Sequence, residues 1–244
     1  MRYLKLTLSY DGSNYNGFQR QKNAIGVQQI VEGALSSLLG ENIKVAASGR
    51  TDTGVHARGQ VISFATVSTV PTINIPIAMK QFLPRDIVVY GAEDVSADFN
   101  ARYSSIEKTY QYKIIITTTA DPFVRNYVWE IGEALDVKKM QEAANFLLGT
   151  HDFSAFRNQG SKPMVPVRTI TKAKWTTSGK QLMFTITGDG FLYKMVRNIV
   201  GALVKVGSGK MTTEEFQTIM LSKDRKRFGI AAPARGLYLM EVRY

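Results

Sequence analysis

Ten consecutive residues, Ser48-Gly49-Arg50-Thr51-Asp52-Thr53-Gly54-Val55-His56-Ala57, gather an arginine, a carboxylate, threonine hydroxyls and two glycines between apolar segments. Glycines let a backbone approach a ligand closely or adopt positive φ, and a loop between strands can hold a side chain towards solvent. An ionised Asp52 in that setting is a candidate nucleophile or general base. The same residues also suit a tight turn whose aspartate accepts backbone hydrogen bonds. Arg50, two residues earlier, suits a phosphate or carboxylate contact. His56 and His151 have no companion at ligand spacing and read as structural hydrogen-bonders rather than acids or metal ligands.

Other chemistry-bearing patterns fail. Gly188-Asp189-Gly190 begins a dinucleotide-like motif, but Tyr193 stands where the third glycine belongs. There is no Gly-x-x-x-x-Gly-Lys-Ser/Thr loop to cradle a triphosphate and no Gly-x-Ser-x-Gly elbow. Paired glycosidase carboxylates are a spatial property that sequence separation does not reveal.

The elements that must position the loop follow from periodicity. Leu4, Leu6, Leu8 and Tyr10 alternate as on a half-buried strand, ended by Asp11-Gly12-Ser13-Asn14. Val27, Ile30, Val31, Ala34, Leu35 and Leu38 recur at helical spacing, with Gly40 as a stop. Strands are predicted at Ile43–Ala47 and Gln60–Ala65, a helix over Ile75–Phe82 and a strand at Ile87–Gly91. Together they make a β-α-β-β-α-β unit.

The order recurs in the second half. Tyr110, Tyr112, Ile114 and Ile116 share a strand face, and Asp136 caps a helix closed by Gly149. A hairpin turns at Ser178-Gly179, and a long helix is predicted from about Phe191 to Val206. A capping box of Thr212 and Glu215 starts a shorter helix, and Leu237–Val242 closes as a strand. The expected division is two α+β units, 1–103 and 104–244.

With 31 Lys plus Arg against 20 Asp plus Glu, the 244-residue chain carries a formal charge of +11. That surplus points to a polyanion, a nucleic acid or an anionic membrane surface. No cysteine is present, which excludes disulfides, thiol nucleophiles and thiolate metal sites. No run approaches the roughly 18 apolar residues of a membrane span, and Met1–Leu6 lacks a signal-peptide core. A cytoplasmic protein with a nucleic-acid partner is expected. Arg157–Lys180 holds six basic residues (Arg157, Lys162, Arg168, Lys172, Lys174, Lys180) and no acidic one. It is a candidate phosphate contact or a solvated charged surface; Lys223–Arg227 is a weaker candidate.

The whole decamer resembles the catalytic loop of the tRNA pseudouridine synthase A family. Further segments match in order: Tyr10-Asp11-Gly12 with Gly17-Phe18-Gln19-Arg20-Gln21, Phe99-Asn100-Ala101-Arg102-Tyr103, Lys108-Thr109-Tyr110-Gln111-Tyr112, His151-Asp152-Phe153, Phe191-Leu192-Tyr193-Lys194-Met195-Val196-Arg197-Asn198, and Ala232-Pro233 with Gly236-Leu237-Tyr238-Leu239. Two positions depart from the family pattern: Phe18 replaces a usual Trp, and Thr53 a common Ala.

The resemblance implies two ferredoxin-like, RRM-like α+β subdomains sharing a largely antiparallel sheet, with the active site in the cleft between them. It implies isomerisation of uridine to pseudouridine at positions 38, 39 and 40 of the tRNA anticodon stem-loop, by a homodimer without cofactor or metal. Asp52 would be the nucleophile and Arg50 would occupy the space left by the extruded uridine. Tyr110 would stack on the flipped base, although it also fits an ordinary core strand. Arg197 would pair with Asp52; otherwise it is a solvated position on an amphipathic helix. Arg20, Arg102, Lys162, Arg168 and Lys172 are the candidate RNA contacts. Two rival classes are an RNA-binding module without catalysis and a hydrolytic nucleoside or glycoside enzyme, the latter requiring a second carboxylate near Asp52.

Overall fold

In the computed structural model of the chain, residues 1–158, 165–224, 229 and 231–244 are described. They form two compact units, 1–106 with 238–244 and 107–237.

The first unit opens with β1 (Arg2–Tyr10), whose Leu4, Leu6, Leu8 and Tyr10 point into the core. Helix α1 (Val27–Leu39) buries Val27, Val31, Ala34 and Leu35 and ends at Gly40 with φ 72°. Then come β2 (Ala46–Ala47), β3 (His56–Thr66), α2 (Ile75–Met79) and β4 (Ile87–Val95). The strands lie in the order β4-β1-β3, all antiparallel, with β2 antiparallel to β3. This is the split β-α-β arrangement the alternation of elements predicts.

Strand β3 starts at His56 rather than Gln60, α2 stops at Met79 rather than Phe82, and β4 runs on to Val95, and two further details depart from the periodicity. The strand expected over Ile43–Ala47 is reduced to Ala46–Ala47 because side chains of α1 take its backbone donors. Ile43 N donates to Ser36 Oγ at 3.0 Å and Val45 N to Glu32 Oε1 at 3.1 Å. The last strand, β10 (Leu237–Arg243), lies in the first unit: Tyr238 and Leu239 pair in parallel with His56 and Ala57 of β3.

The second unit contains β5 (Glu107–Ile116), β6 (Trp129–Ile131), α3 (Val137–Asn145), β7 (Gly149–Asp152), β8 (Val167–Ser178), β9 (Gln181–Gly188), α4 (Met195–Gly207) and α5 (Thr213–Ser222). Its sheet runs β5-β9-β8-β7, antiparallel throughout, with β6 parallel to β5. Asp136 caps α3 by accepting from Lys139 N at 3.1 Å, and Thr212 and Glu215 form the reciprocal capping box of α5.

Helix α4 starts later than the predicted Phe191. Lys194 adopts φ 59°, so residues 191–194 form a turn that delivers the chain into Met195. Every residue of α4 except Arg197 and Lys205 is buried, which makes it the central helix of its unit rather than a surface one. Among the described residues no helix is long and apolar enough to cross a membrane.

Candidate active site

The decamer folds as the connection between β2 and β3 and runs into the first two residues of β3. Asp52 O accepts from Val55 N at 3.1 Å, closing a four-residue turn. Gly54 has φ 75°, the positive value that the third position of a type II turn requires. Thr53 occupies the permissive second position and is exposed, so the departure from alanine is accommodated without strain. Asp52 itself is half-buried beside this turn.

A second segment clamps the loop from below. Phe18 N donates to Thr51 O at 3.1 Å, and Gly54 N to Tyr15 O at 3.4 Å. Gly17 lies so close that an added Cβ would stand 2.5 Å from Thr51 O, and its φ is 81°. Phe18 is buried with its ring 6.1 Å from that of Tyr10, filling its site with one ring where the family pattern has two. The Tyr10 hydroxyl lies 2.8 Å from Thr51 Oγ1, and burial pushes the Tyr10 phenol up to about 12. The residues on either side of Asp52 are thus held by backbone bonds.

His56 is buried, with its ring stacked on Tyr238 at 4.7 Å. Its Nδ1 is 3.1 Å from both Gly12 N and Asp11 Oδ1. The same ring nitrogen thus meets the backbone N–H of Gly12 and the carboxylate of Asp11, which ties His56 to the segment after β1. Asp11 Oδ1 also accepts from Ser13 N and Oγ. His151 Nε2 donates to Leu148 O at 2.7 Å. Both histidines are structural in these contacts.

Arg50 is exposed, and among the described residues no hydrogen bond or ion pair holds its side chain. A cation in that state is available to a ligand without first breaking a contact.

In the second unit, Tyr110 lies on β5 opposite Ile186 of β9 and is buried. Its ring meets Phe191 edge-on at 5.1 Å and 82°. Arg197 sits in the first turn of α4, half-buried, not on a solvated amphipathic face. Its Nε donates to Ala232 O at 2.8 Å, and Ala232 N donates back to Arg197 O at 3.0 Å. The first contact ties the guanidinium to the segment at Ala232, and the second ties the α4 backbone to it. Tyr112 supports the same segment by donating to Pro233 O at 2.7 Å; burial pushes its phenol up, while nearby Arg197 and Arg235 pull it down.

The candidate RNA contacts differ in character. Arg20 Nη2 lies 2.5 Å from Oε2 of the buried Glu32, so this arginine is tied to α1. Arg102 is exposed and packs its guanidinium 5.6 Å from the ring of Tyr103, which is 80% exposed. Arg168 is half-buried and donates from Nη1 to Val165 O at 2.8 Å and Val167 O at 2.5 Å. Lys172 and Lys174 are exposed on β8, alternating with buried Ala173 and Trp175. A register shift between Ile170 and Lys172 separates them from Arg168, so the basic run does not form one continuous strip. Lys162 and residues 225–227 lie outside the described residues. Motif and periodicity do not single out Gln60, a buried amide that touches the loop; its only signal is a polar residue followed at once by the apolar run of β3.

A family model described as tRNA pseudouridine synthase matches residues 7–104 and 143–244. Among curated relatives, the tRNA pseudouridine synthase A of Acetivibrio thermocellus is 46% identical over 244 residues, covering 100% of both chains. That of a Thermoanaerobacter species is 43% identical over 244 residues, again covering 100% of each. That of Halalkalibacterium halodurans is 45% identical over 238 residues, 97% of this chain and 90% of its own. Matches of this extent define an enzyme that isomerises uridine in RNA. The chain belongs to the tRNA pseudouridine synthase A family, and its substrate is tRNA.

Proposed function

We propose that Asp52 is the nucleophile in converting uridine to pseudouridine at positions 38, 39 and 40 of the tRNA anticodon stem-loop. The net change breaks the N1–C1′ glycosidic bond and forms a C5–C1′ bond. The proton lost from C5 is balanced by one gained at N1, so no redox partner is needed. Asp52 would act by attack on C1′, by attack on C6, or by assisting a glycal route.

The target base is stacked in the anticodon stem-loop and must be extruded at a cost of a few kcal/mol. Arg50 is assigned to the vacated space, Tyr110 to the face of the flipped base, and Arg197 to the carboxylate of Asp52. An opposite charge at that position favours the ionised nucleophile and fixes its direction. The +11 surplus supplies the long-range attraction to a folded tRNA, with Arg20, Arg102, Lys162, Arg168 and Lys172 as proposed contacts. The resemblance extends the proposal to a homodimer working in the cytoplasm.

The observation that carries this reading is a half-buried Asp52 in a turn fixed on both sides, two residues from an arginine without a partner among the described residues. Asp52→Asn tests it, because the amide preserves shape and removes nucleophilicity. Single-turnover pseudouridine formation should fall by about 10⁴-fold or more, with the tRNA dissociation constant within about threefold of wild type. Retained turnover would reject the nucleophile assignment.

A further inference from the structure

Gln60, in β3, has 0% of its surface exposed. A buried amide is costly unless its donors and acceptor are satisfied. Gln60 satisfies them largely on the catalytic loop. Its Nε2 donates to Gly49 O at 3.0 Å and to the Tyr10 hydroxyl at 3.4 Å, while Oε1 accepts from Ser48 Oγ at 2.7 Å. The Gly49 carbonyl can only accept, so the nitrogen must face it, and the amide orientation follows from chemistry. Having accepted from Gln60, the Tyr10 hydroxyl has its own hydrogen for Thr51 Oγ1, 2.8 Å away. One side chain therefore holds residues 48 and 49 directly and residue 51 through Tyr10. Those are the two flanks of Arg50 and the residue before Asp52.

We propose that Gln60 is a positioning residue of the isomerisation. Its amide presets the loop on both sides of Arg50, so the guanidinium enters the space of the extruded uridine without the loop reorganising. Arg50 is exposed at its tip and fixed at its base. That combination suits a side chain that must leave solvent for the helix stack while its backbone stays in place. The inference rests on the function proposed above.

Three variants test it in single turnover on an unmodified tRNA transcript with uridine at 38–40, alongside tRNA affinity and thermal midpoint. Gln60→Met keeps the shape and removes every polar contact. Gln60→Glu is isosteric, but when ionised it turns a carboxylate oxygen towards Gly49 O and repels it. When protonated it regains a donor for that carbonyl. Both variants should slow pseudouridine formation by about 100-fold at pH 8, with affinity within about threefold of wild type.

The Gln60→Glu rate, as a ratio to wild type at each pH, should rise as pH falls to 6. Burial raises the pKa of the introduced acid, so protonation restores the bond in that range. Gln60→Met should show no such recovery. A residue that merely fills the core would not give this pH-dependent rescue at constant affinity. If both variants prove unfolded, Tyr10→Phe decides, because it deletes the hydroxyl that joins Gln60 to Thr51 and leaves the Gln60 contacts to Ser48 and Gly49 in place. It should cost about tenfold in rate at unchanged affinity. Rates within about threefold of wild type for every folded variant would overturn the proposal alone. A wild-type protein that makes no pseudouridine in this transcript would overturn the functional reading, and the proposal with it.

Discussion

Tyr10 shows how a side chain can serve the fold and the site through one atom. Its ring is core, and its hydroxyl lies between Gln60 and Thr51. Burial raises its phenol from 10.0 to about 12, so the unfolded chain loses this proton first as pH rises. Stability linked to Tyr10 is complete below pH 10 and is lost as pH climbs towards 12, by about 3 kcal/mol in total. Chemical denaturation across this range should show wild type losing more stability than Tyr10→Phe by about that amount; parallel curves would contradict the buried hydroxyl. At this scale, Asp52 and Arg50 were legible as candidates because the decamer concentrates unusual chemistry in a short span. Gln60 was not, because its partners depend on the register of β1 against β3, where Leu8 faces Gln60 and the pairing then shifts before Tyr10. Spacing alone sets Arg197 on an amphipathic face; burial of α4 on all sides removes that face.

Between elements, the site depends on the segment after β1 as much as on the loop itself. Gly17→Ala would combine a positive φ with a methyl 2.5 Å from a backbone oxygen that has no room to yield. The expected outcome is a drop of about 1–3 kcal/mol in unfolding free energy and about 100-fold in single-turnover rate, read by denaturation and pseudouridine formation. Normal turnover in this variant would show that the clamp is dispensable. Periodicity and caps located β1, α1, the β8–β9 hairpin and α5, because each has local signals: alternation, Gly40, Gly179 and the Thr212–Glu215 box. Elements whose limits depend on distant partners were less legible. Side chains of α1 capture the donors that would have extended β2, and one left-handed residue, Lys194, delays α4. The short strands β6 and β7 have no pattern long enough to read.

For the molecule as a whole, the +11 charge explains attraction to tRNA but not chemistry. Its distribution selects which lysines to test. Lys172 and Lys174 project together from β8, whereas Arg168 is engaged with its own backbone. Replacing both lysines by alanine should lower the slope of log affinity against log salt by about 0.7–0.9 for each phosphate no longer neutralised, with the chemical step unchanged at saturation. An unchanged slope would place this face away from RNA. The repeated order of elements suggested two units, but nothing in it marked the return of β10 to β3, since a strand carries no mark of the edge it will join. The most direct test of the central claim is base-resolution mapping of pseudouridine in tRNA from cells lacking this protein, complemented with wild type or Asp52→Asn. Pseudouridine at positions 38–40 should vanish in the deletion, return with wild type and stay absent with Asp52→Asn. Its persistence in the deletion, or its return with Asp52→Asn, would contradict the account.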